Sequence, residues 1–219
     1  MSDQLASLIV LALFDVESWI ESGGLAILAA IVFAESGLLI GFFLPGDSLL
    51  FIAGFLTSSA GPEALGVKPD SLPSLPLVAI VVVLAAIIGD QVGYMFGHKV
   101  GPSLFQREES RLFKPSHVAK AHDFMEKHGS KTIVMARFVP IVRTFAPIVA
   151  GVSNMRYRTF VTYNIVGGVL WGAGLTTLGH YLGDISWVKD NIEIASLAIV
   201  AISILPMIIE FVRHRRAAH

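Results

Sequence analysis

The chain contains no cysteine among its 219 residues, so disulfides, thiolate metal sites and a cysteine nucleophile are excluded. It is also short of charge: charged residues make up 15% of the sequence, whereas soluble domains usually carry about 25%. The net charge of −1 gives no reason to expect nucleic acid as a partner. Hydrophobic residues, in contrast, make up 54% of the chain. This balance indicates an integral membrane protein, because too little polar surface remains for contact with water.

Catalytic and metal-binding patterns are missing as well. The sequence has no P-loop, no GxSxG motif and no Ser-His-Asp order. His117, His122 and His128 lack the i,i+4 spacing that places two metal ligands on one helix face. A membrane enzyme acting on lipid phosphates would need a nucleophile or a metal cluster. We therefore do not expect an enzyme, and we expect neither a cofactor nor a bound metal.

The hydrophobic segments predict a single all-α membrane domain over residues 1–219, since a spanning helix needs about 20 apolar residues. The apolar segments are 25–44, 48–56, 77–97, 132–151, 160–183 and 194–209. The N-terminal run at 5–14 is too short to span, and it lacks the basic start and the cleavage site of a signal peptide. We expect residues 1–24 to form an interfacial helix region that stays in the mature protein.

The polar loops differ in their content of basic residues. Lysine and arginine are concentrated in the loop 98–131, at Arg156 and Arg158, and at the C-terminus, whereas the loops 57–76 and 184–191 carry one lysine each. The positive-inside rule places the first three regions in the cytoplasm and the other two outside. We expect a multi-pass protein of the cell inner (cytoplasmic) membrane with a cytoplasmic C-terminus, and the side of the N-terminus stays open.

Two segments are predicted to be re-entrant hairpins. Both flanks of 132–152 lie in the cytoplasm by the charge rule, and Pro140 and Pro147 indicate a broken helix because proline removes a backbone donor. Residues 25–57, interrupted at Pro45-Gly46-Asp47, are the matching hairpin from outside. Oppositely oriented re-entrant hairpins are typical of inverted-repeat transporters, and broken backbone at membrane depth lines a cavity.

Five ionisable residues lie in or beside these apolar segments: Glu35, Asp47, Asp90, Arg137 and Arg143. A charge at the centre of a spanning helix costs about 2.5–3.5 kcal/mol on insertion scales, which favours a functional cavity over ion pairs that only hold the hairpins together. An unbroken helix would point the two arginines in different directions, but a break between them lets both face one cavity. Guanidinium groups suit phosphate, so we expect Arg137 and Arg143 to bind an anionic headgroup.

The acids have a different expected use. Glu35 and Asp47 cannot attract an anion, and an apolar setting favours the neutral, protonated form of a carboxyl group. We therefore expect these two residues, together with Asp90, to carry protons in a proton-coupled cycle.

Small residues and aromatics are interpreted as packing positions, because small residues let helices approach closely. The glycines in question are Gly89, Gly93, Gly97 and Gly101 on one segment and Gly168, Gly172, Gly179 and Gly183 on another. Trp171, Trp187 and Tyr181 are interpreted as core or interface aromatics.

Four motifs occur together in the chain. They are Glu35-Ser36-Gly37, Phe43-Leu44-Pro45-Gly46-Asp47-Ser48, Gly89-Asp90-Gln91-Val92-Gly93-Tyr94, and the run from Ala136 through Arg137, Pro140 and Arg143 to Pro147. These motifs resemble the DedA family of bacterial membrane proteins over about residues 25–210. The resemblance implies two re-entrant hairpins and functionally required residues at Glu35, Asp47, Arg137 and Arg143. It also implies lipid movement across the cytoplasmic membrane, including undecaprenyl phosphate recycling, and dependence on the proton gradient. One departure is His98, where members often have arginine.

We therefore expect a transporter that binds undecaprenyl phosphate at Arg137 and Arg143 and returns it to the cytoplasmic face. A less selective phospholipid scramblase is a second interpretation, since the same cavity serves it without coupling. A proton-coupled antiporter for a small cation or drug is a third, favoured by an excess of acid over base and opposed by the paired arginines. The expected partners are membrane lipid, as polyprenyl phosphate or phospholipid, and protons. The oligomeric state stays open, a homodimer included.

Overall fold

A computed structural model describes residues 16–38, 46–65, 68, 72–105, 131–191 and 194 of the protein. Within these ranges every regular element is a helix, which agrees with the predicted all-α class. In chain order they are α1 (Val16–Gly37), α2 (Gly46–Leu56), α3 (Gly61–Ala64), α4 (Leu75–Phe105), α5 (Lys131–Ala136), α6 (Pro140–Val152), α7 (Tyr157–Gly168), a π-helical turn (Val169–Ala173), α8 (Gly174–Gly183) and α9 (Ser186–Asp190).

The longest apolar stretch of the described residues lies in α4. Leu75–Val100, 26 residues long, is the one segment there whose length and composition suffice to cross a membrane. At about 1.5 Å per residue it extends roughly 39 Å, more than the ~30 Å hydrocarbon core of a bilayer. Gly23–Gly37, Gly46–Leu56 and Val142–Val152 are apolar as well, but each is too short to cross on its own.

The first helical pair consists of α1 and α2. α1 bends at Gly23 and Gly24, whose φ angles of 150° and 29° suit glycine rather than a residue with a side chain. The helix ends at Gly37, within the predicted apolar segment 25–44, of which residues 39–44 lie outside the described residues. Glycine is a poor helix former, and Gly37 also packs against the backbone of α4. α2 then starts at Gly46, and all of its residues are buried.

The second helical pair consists of α5 and α6, separated by a turn at residues 137–139. α6 begins with Pro140, in the first turn, where the missing N–H would have no helical partner. The predicted break at Pro140 is therefore confirmed. The expectation that Pro147 also breaks the helix is wrong, because α6 continues through it to Val152. The extensive packing of α6 along α4 holds the helix across this proline.

Two predicted loops are more structured than expected. α4 continues to Phe105, so the first residues of the predicted loop 98–131 are helical. Lys99 is exposed there, and a polar side chain that reaches solvent does not end a helix. The predicted exposed loop 57–76 contains α3 and the buried Leu72. The predictions for 1–15, 106–130 and 195–209 lie outside the described residues.

α7, the π-helical turn and α8 follow one another without a break and account for the predicted charge-free span. α8 packs closely on α2 through two glycines: a Cβ at Gly54 would overlap the carbonyl oxygen of Thr176, and one at Gly179 would overlap that of Phe51. On α4, a Cβ at Gly89 would likewise come within 2.7 Å of the Phe33 carbonyl oxygen. The packing interpretation is therefore confirmed for the predicted glycines other than Gly101, whose surroundings the structure does not describe.

The main apolar core forms where α1, α2 and α4 meet. Its buried members are Leu28, Val32, Leu49, Leu50, Ile52, Ala53, Leu56, Leu72, Val78, Val82, Ala85, Ala86 and Trp171. Trp171, in the π-helical turn, belongs to this core and also contacts charged residues, so it lies between the core and the candidate site.

Candidate functional site

Arg143, in the first turns of α6, reaches both acids of the first helical pair. Its Nη2 atom lies 2.5 Å from Oε1 of Glu35, and its Nη1 atom lies 2.6 Å from Oδ1 of Asp47. Glu35 lies near the end of α1, and Asp47 is the second residue of α2. One guanidinium group from the second helical pair therefore ties together the two ends of the break in the first pair.

Arg137 lies in the turn between α5 and α6 and belongs to a second set of contacts. Its Nη2 atom donates to Oδ2 of Asp90 on α4 and to Oδ1 of Asn164 on α7. The Asn164 amide in turn donates to the carbonyl oxygen of Ile87, with Nδ2 and the oxygen 3.2 Å apart. Asn164 therefore connects this arginine to both α4 and α7.

Both arginines face the ring of Trp171. The guanidinium carbon of Arg143 lies 4.6 Å from the ring centroid, and that of Arg137 lies 6.0 Å from it. The turn at 137–139 makes this possible, because Arg137 lies in the turn, before α6 begins, whereas Arg143 lies in the helix itself. The predicted convergence of the two arginines agrees with this geometry.

Trp171 makes a further contact that the sequence interpretation missed. Its Nε1 atom donates to Oδ1 of Asp47 over 2.7 Å, so the indole touches both members of the Asp47–Arg143 pair. Asn164 was missed as well, although it is a buried amide in a span without charged residues. The spacing of Asn164 and Trp171, seven residues or about two helical turns, was the signal that both lie on one face.

All five charged residues are buried. Glu35 is 1% exposed, Asp90 and Arg137 2%, Arg143 4% and Asp47 9%. Buried charges are tolerated when they are paired and hydrogen-bonded. The residues singled out from the sequence therefore form one cluster. Within it, Asp90 pairs with Arg137, whereas the two acids of the first helical pair share Arg143.

The cluster has more acid than base. Three carboxylates and two guanidiniums leave one net negative charge when all five groups are ionised. Several polar atoms also have no hydrogen-bond partner among the described residues: Glu35 Oε2, Asp90 Oδ1, Arg137 Nε and Nη1, and Arg143 Nε. A buried polar atom without a partner costs about 1–3 kcal/mol, so these atoms are the positions in the cluster where a further hydrogen-bond partner would be stabilising.

His98, which stands where members of the DedA family often have arginine, lies apart from this cluster. Its side chain is exposed, and its ring stacks on that of Tyr94 with the centroids 6.2 Å apart. The hydroxyl group of Tyr94 donates to the carbonyl oxygen of Met155 over 2.6 Å. His98 therefore belongs to an aromatic surface beside the α6–α7 turn rather than to the charged site.

Comparison with known proteins places the chain in a family. The VTT domain family matches residues 20–181, which contain the five charged residues, Asn164 and Trp171. Protein DedA of Escherichia coli (strain K12) is 46% identical over 193 residues, which cover 88% of this chain and 84% of that protein. The uncharacterized membrane protein Rv0364 of Mycobacterium tuberculosis is 46% identical over 187 residues, or 85% of this chain and 78% of the relative.

A more distant relative is the inner membrane protein YqjA of Escherichia coli (strain K12). It is 36% identical over 159 residues, which cover 72% of this chain and 66% of that protein. No solved structure matches the chain. The family match over most of the chain and the identity to the relatives lead to one conclusion: this protein belongs to the DedA family of VTT-domain membrane proteins.

Proposed function

We propose that this protein moves an anionic lipid phosphate across the cytoplasmic membrane together with protons. The lipid we propose is undecaprenyl phosphate, returned to the cytoplasmic face. The observation that carries the proposal is the buried cluster in which Arg137 and Arg143 are paired with three carboxyl groups around Trp171. Guanidinium groups bind phosphate and carboxylate through the same planar fork, so the two anions compete for the same nitrogens.

The proposal includes the arrangement of the two helical pairs. We propose that α1–α2 enters the membrane from outside and α5–α6 from the cytoplasm, each as a re-entrant hairpin. In each pair the charged residues lie close to where the two helices join: Glu35 is near the end of α1 and Asp47 near the start of α2, and Arg137 lies in the turn before α6 and Arg143 in its first turns. Interrupted helices that meet near the midplane, with ion-binding groups at the interruptions, are typical of secondary transporters.

Competition at Arg143 supplies the coupling. Ionised Glu35 and Asp47 each accept a hydrogen bond from one terminal nitrogen of this guanidinium group and balance its charge, so a phosphate group competes with them for it. A protonated carboxyl group holds a guanidinium group less tightly than a carboxylate does. The lipid phosphate therefore binds after a proton has reached at least one of the two acids, and it leaves when that proton is lost.

The charge of the cluster fits this order of events. One proton makes the five-residue cluster neutral, and a second gives it one net positive charge, which matches a singly charged phosphate. Protonation from the more acidic side of the membrane therefore favours loading there, and proton loss on the cytoplasmic side favours release. The inward proton gradient would drive the lipid towards the cytoplasmic face.

The two arginines differ in what they offer to an arriving phosphate. Arg137 uses one nitrogen, Nη2, for both Asp90 and Asn164, and its Nε and Nη1 atoms have no partner among the described residues. Arg143 uses both terminal nitrogens for carboxylates. Arg137 is therefore the first contact for the phosphate, and Arg143 follows once its carboxylates release it.

A proton-coupled antiporter for a small cation is the second candidate, and one observation favours it. The cluster has three carboxyl groups against two guanidinium groups, and a cation can replace the proton that neutralises the excess. Both guanidinium groups nevertheless lie within the same cluster and would repel that cation. The excess acid therefore fits proton carriage better than cation binding.

Purified protein in liposomes tests the proposal. The probe is polyprenyl phosphate, whose inner-leaflet fraction is measured by its protection from a membrane-impermeant phosphatase; fluorescent phosphatidylethanolamine with an impermeant reductant is the comparison. We expect the first lipid alone to move, faster under an inward-directed proton gradient. Arg143→Ala should abolish this movement, and Arg158→Ala, an exposed arginine on α7, should not.

Three outcomes contradict the proposal in different ways. Equal rates for the two lipids indicate a scramblase. Cation-dependent proton release without movement of either lipid indicates the antiporter. Full activity of Arg143→Ala removes the headgroup assignment.

A further inference from the structure

Trp171 occupies a position that the proposed proton-coupled transport does not by itself explain. It is a fully buried tryptophan, 2% exposed, yet its ring and its N–H both point at charged groups. The ring covers the guanidinium group of Arg143 at 4.6 Å, and Nε1 donates to Oδ1 of Asp47 over 2.7 Å. Trp171 therefore holds the cation and the anion of one ion pair at the same time.

The backbone at this position is unusual. Trp171 is the central residue of the π-helical turn Val169–Ala173, inserted between α7 and α8. π-helical turns are rare, occur as single turns within α-helices and are frequent at functional sites. Such a turn also carries one residue more than an α-helical turn, so its conversion to α-helix rotates the residues on either side relative to each other.

A side chain supports this turn. The Thr176 hydroxyl group is buried and donates to the carbonyl oxygen of Gly172, inside the π-helical turn, over 2.7 Å. Hydrogen bonds from a threonine to the carbonyl oxygen four residues earlier often bend a helix. The turn is thus held by a specific contact and not only by its surroundings.

We propose that Trp171 is a positioning residue that makes the release of Asp47 from Arg143 and the binding of the lipid phosphate a single event. When phosphate replaces Asp47 at Arg143, the indole N–H loses its carboxylate acceptor and the ring faces a different charge. The π-helical turn supplies the freedom for Trp171 to follow that change. This inference rests on the proposed function for the identity of the anion. The response of Trp171 to protonation of Asp47 does not depend on which anion is transported.

The groups that face the Asp47–Trp171 contact come from every element around it. They are Glu35 from α1, Arg143 from α6, and Arg137 with its partner Asp90 in the adjoining part of the cluster. The N–H of Trp171 and a guanidinium N–H both stabilise the ionised form of Asp47. Removal of the indole N–H alone therefore makes proton uptake at Asp47 easier while the ring contact with Arg143 is kept.

Trp171→Phe and Trp171→Leu separate these two contacts. Trp171→Phe keeps a ring over Arg143 and loses the donor to Asp47, so we expect the pH midpoint of polyprenyl phosphate transport to rise by about one unit. Trp171→Leu loses both contacts, so we expect it to lose most transport at every pH. Trp187→Phe, at a tryptophan that is 58% exposed, is the control and should leave the midpoint unchanged.

Thr176→Val tests the π-helical turn itself. It removes the hydroxyl donor at nearly constant shape, and we expect it to shift the midpoint in the same direction as Trp171→Phe. Thr162→Val is the matched control, because Thr162 makes the same bond, to the carbonyl oxygen of Arg158 over 2.9 Å, on the exposed side of α7. An unchanged midpoint in both Trp171→Phe and Thr176→Val overturns the proposal.

Fluorescence gives a measurement that does not need transport. The chain has three tryptophans, so Trp19→Phe with Trp187→Phe leaves Trp171 as the single reporter. We expect its emission to change on acidification and on addition of polyprenyl phosphate, but not with the uncharged polyprenol. A response to acid with no response to phosphate leaves the positioning role and rejects the anion of the proposed function. No response to either rejects the positioning role, including where Trp171→Phe fails to fold.

Discussion

Glu35 and Gly46 are in contact across the break between α1 and α2: the Glu35 carboxyl group fills the space that a Cβ atom at position 46 would occupy. Glu35 is held at the same time by Arg143. Glycine at position 46 is therefore required by the ion pair, because any side chain there would displace the acid from its arginine.

Gly46→Ala follows from this contact. We expect it to reduce transport of polyprenyl phosphate about tenfold or more, because the added methyl group separates Glu35 from Arg143 and a hydrogen bond to a charged group is worth about 1.5–3 kcal/mol. The measurement is the initial rate in liposomes at equal protein density. Gly174→Ala is the control, since a Cβ there meets no atom within 4 Å, and equal rates for the two variants would contradict the requirement.

A double-mutant cycle measures the pair of Arg137 with Asp90. Asp90→Asn and Arg137→Met each leave one buried charge without its counter-ion, and such a loss typically destabilises a protein by about 3–5 kcal/mol. We expect the double variant to be less destabilised than the sum of the two, as measured by unfolding in detergent. A matched cycle at the exposed Ser59–Asp184 hydrogen bond should give a coupling below about 1 kcal/mol. Additive losses at Arg137 and Asp90 would show that the two do not interact.

Much of this site could be predicted from the sequence. Intramembrane charge is expensive, so Glu35, Asp47, Asp90, Arg137 and Arg143 stand out in any apolar segment. A proline between the two arginines indicated how both could face one way, and α6 does begin at Pro140. Which acid pairs with which arginine was harder to predict, because nothing in the sequence distinguishes Asp90 from Asp47 as a partner. The packing of α4 along α6 brings Asp90 to Arg137, which lies in the turn before α6.

Other features depended on contacts that a linear pattern does not contain. Trp171 looks like a core residue, and it is one; its second role comes from the position of Asp47 more than a hundred residues earlier. The π-helical turn has no sequence signature that separates it from α-helix. Pro147 was expected to break α6, but tertiary packing on α4 overrides that local preference.

Glu35→Gln tests the direction of the pH dependence. In the proposed cycle a carboxylate gains a proton before Arg143 is released, so transport by the wild-type protein should increase as the pH on the loading side falls. The glutamine keeps the shape of the protonated acid at every pH, so we expect transport that continues at alkaline pH and responds less to the proton gradient. The pH profile of uptake measures this, with Glu63→Gln, an exposed acid on α3, as the control. An unchanged profile would remove Glu35 from the coupling.

Replacement of each arginine by lysine should separate their roles, because the two use their nitrogens differently. Arg143 binds Asp47 and Glu35 through two nitrogens, which one ammonium group cannot reproduce, so Arg143→Lys should lose both stability and transport. Arg137 binds Asp90 and Asn164 through Nη2 alone, and a lysine ammonium group can serve both acceptors.

Arg137→Lys should therefore keep its unfolding temperature near that of the wild type, while it loses the Nε and Nη1 donors that we assign to the phosphate. We expect the half-saturating concentration of polyprenyl phosphate to rise about tenfold, in line with the loss of one charge-assisted hydrogen bond. Unfolding temperature and concentration dependence are measured on the same preparations. A wild-type half-saturating concentration in Arg137→Lys would mean that these nitrogens do not bind the headgroup, and that Arg143 alone recognises the lipid.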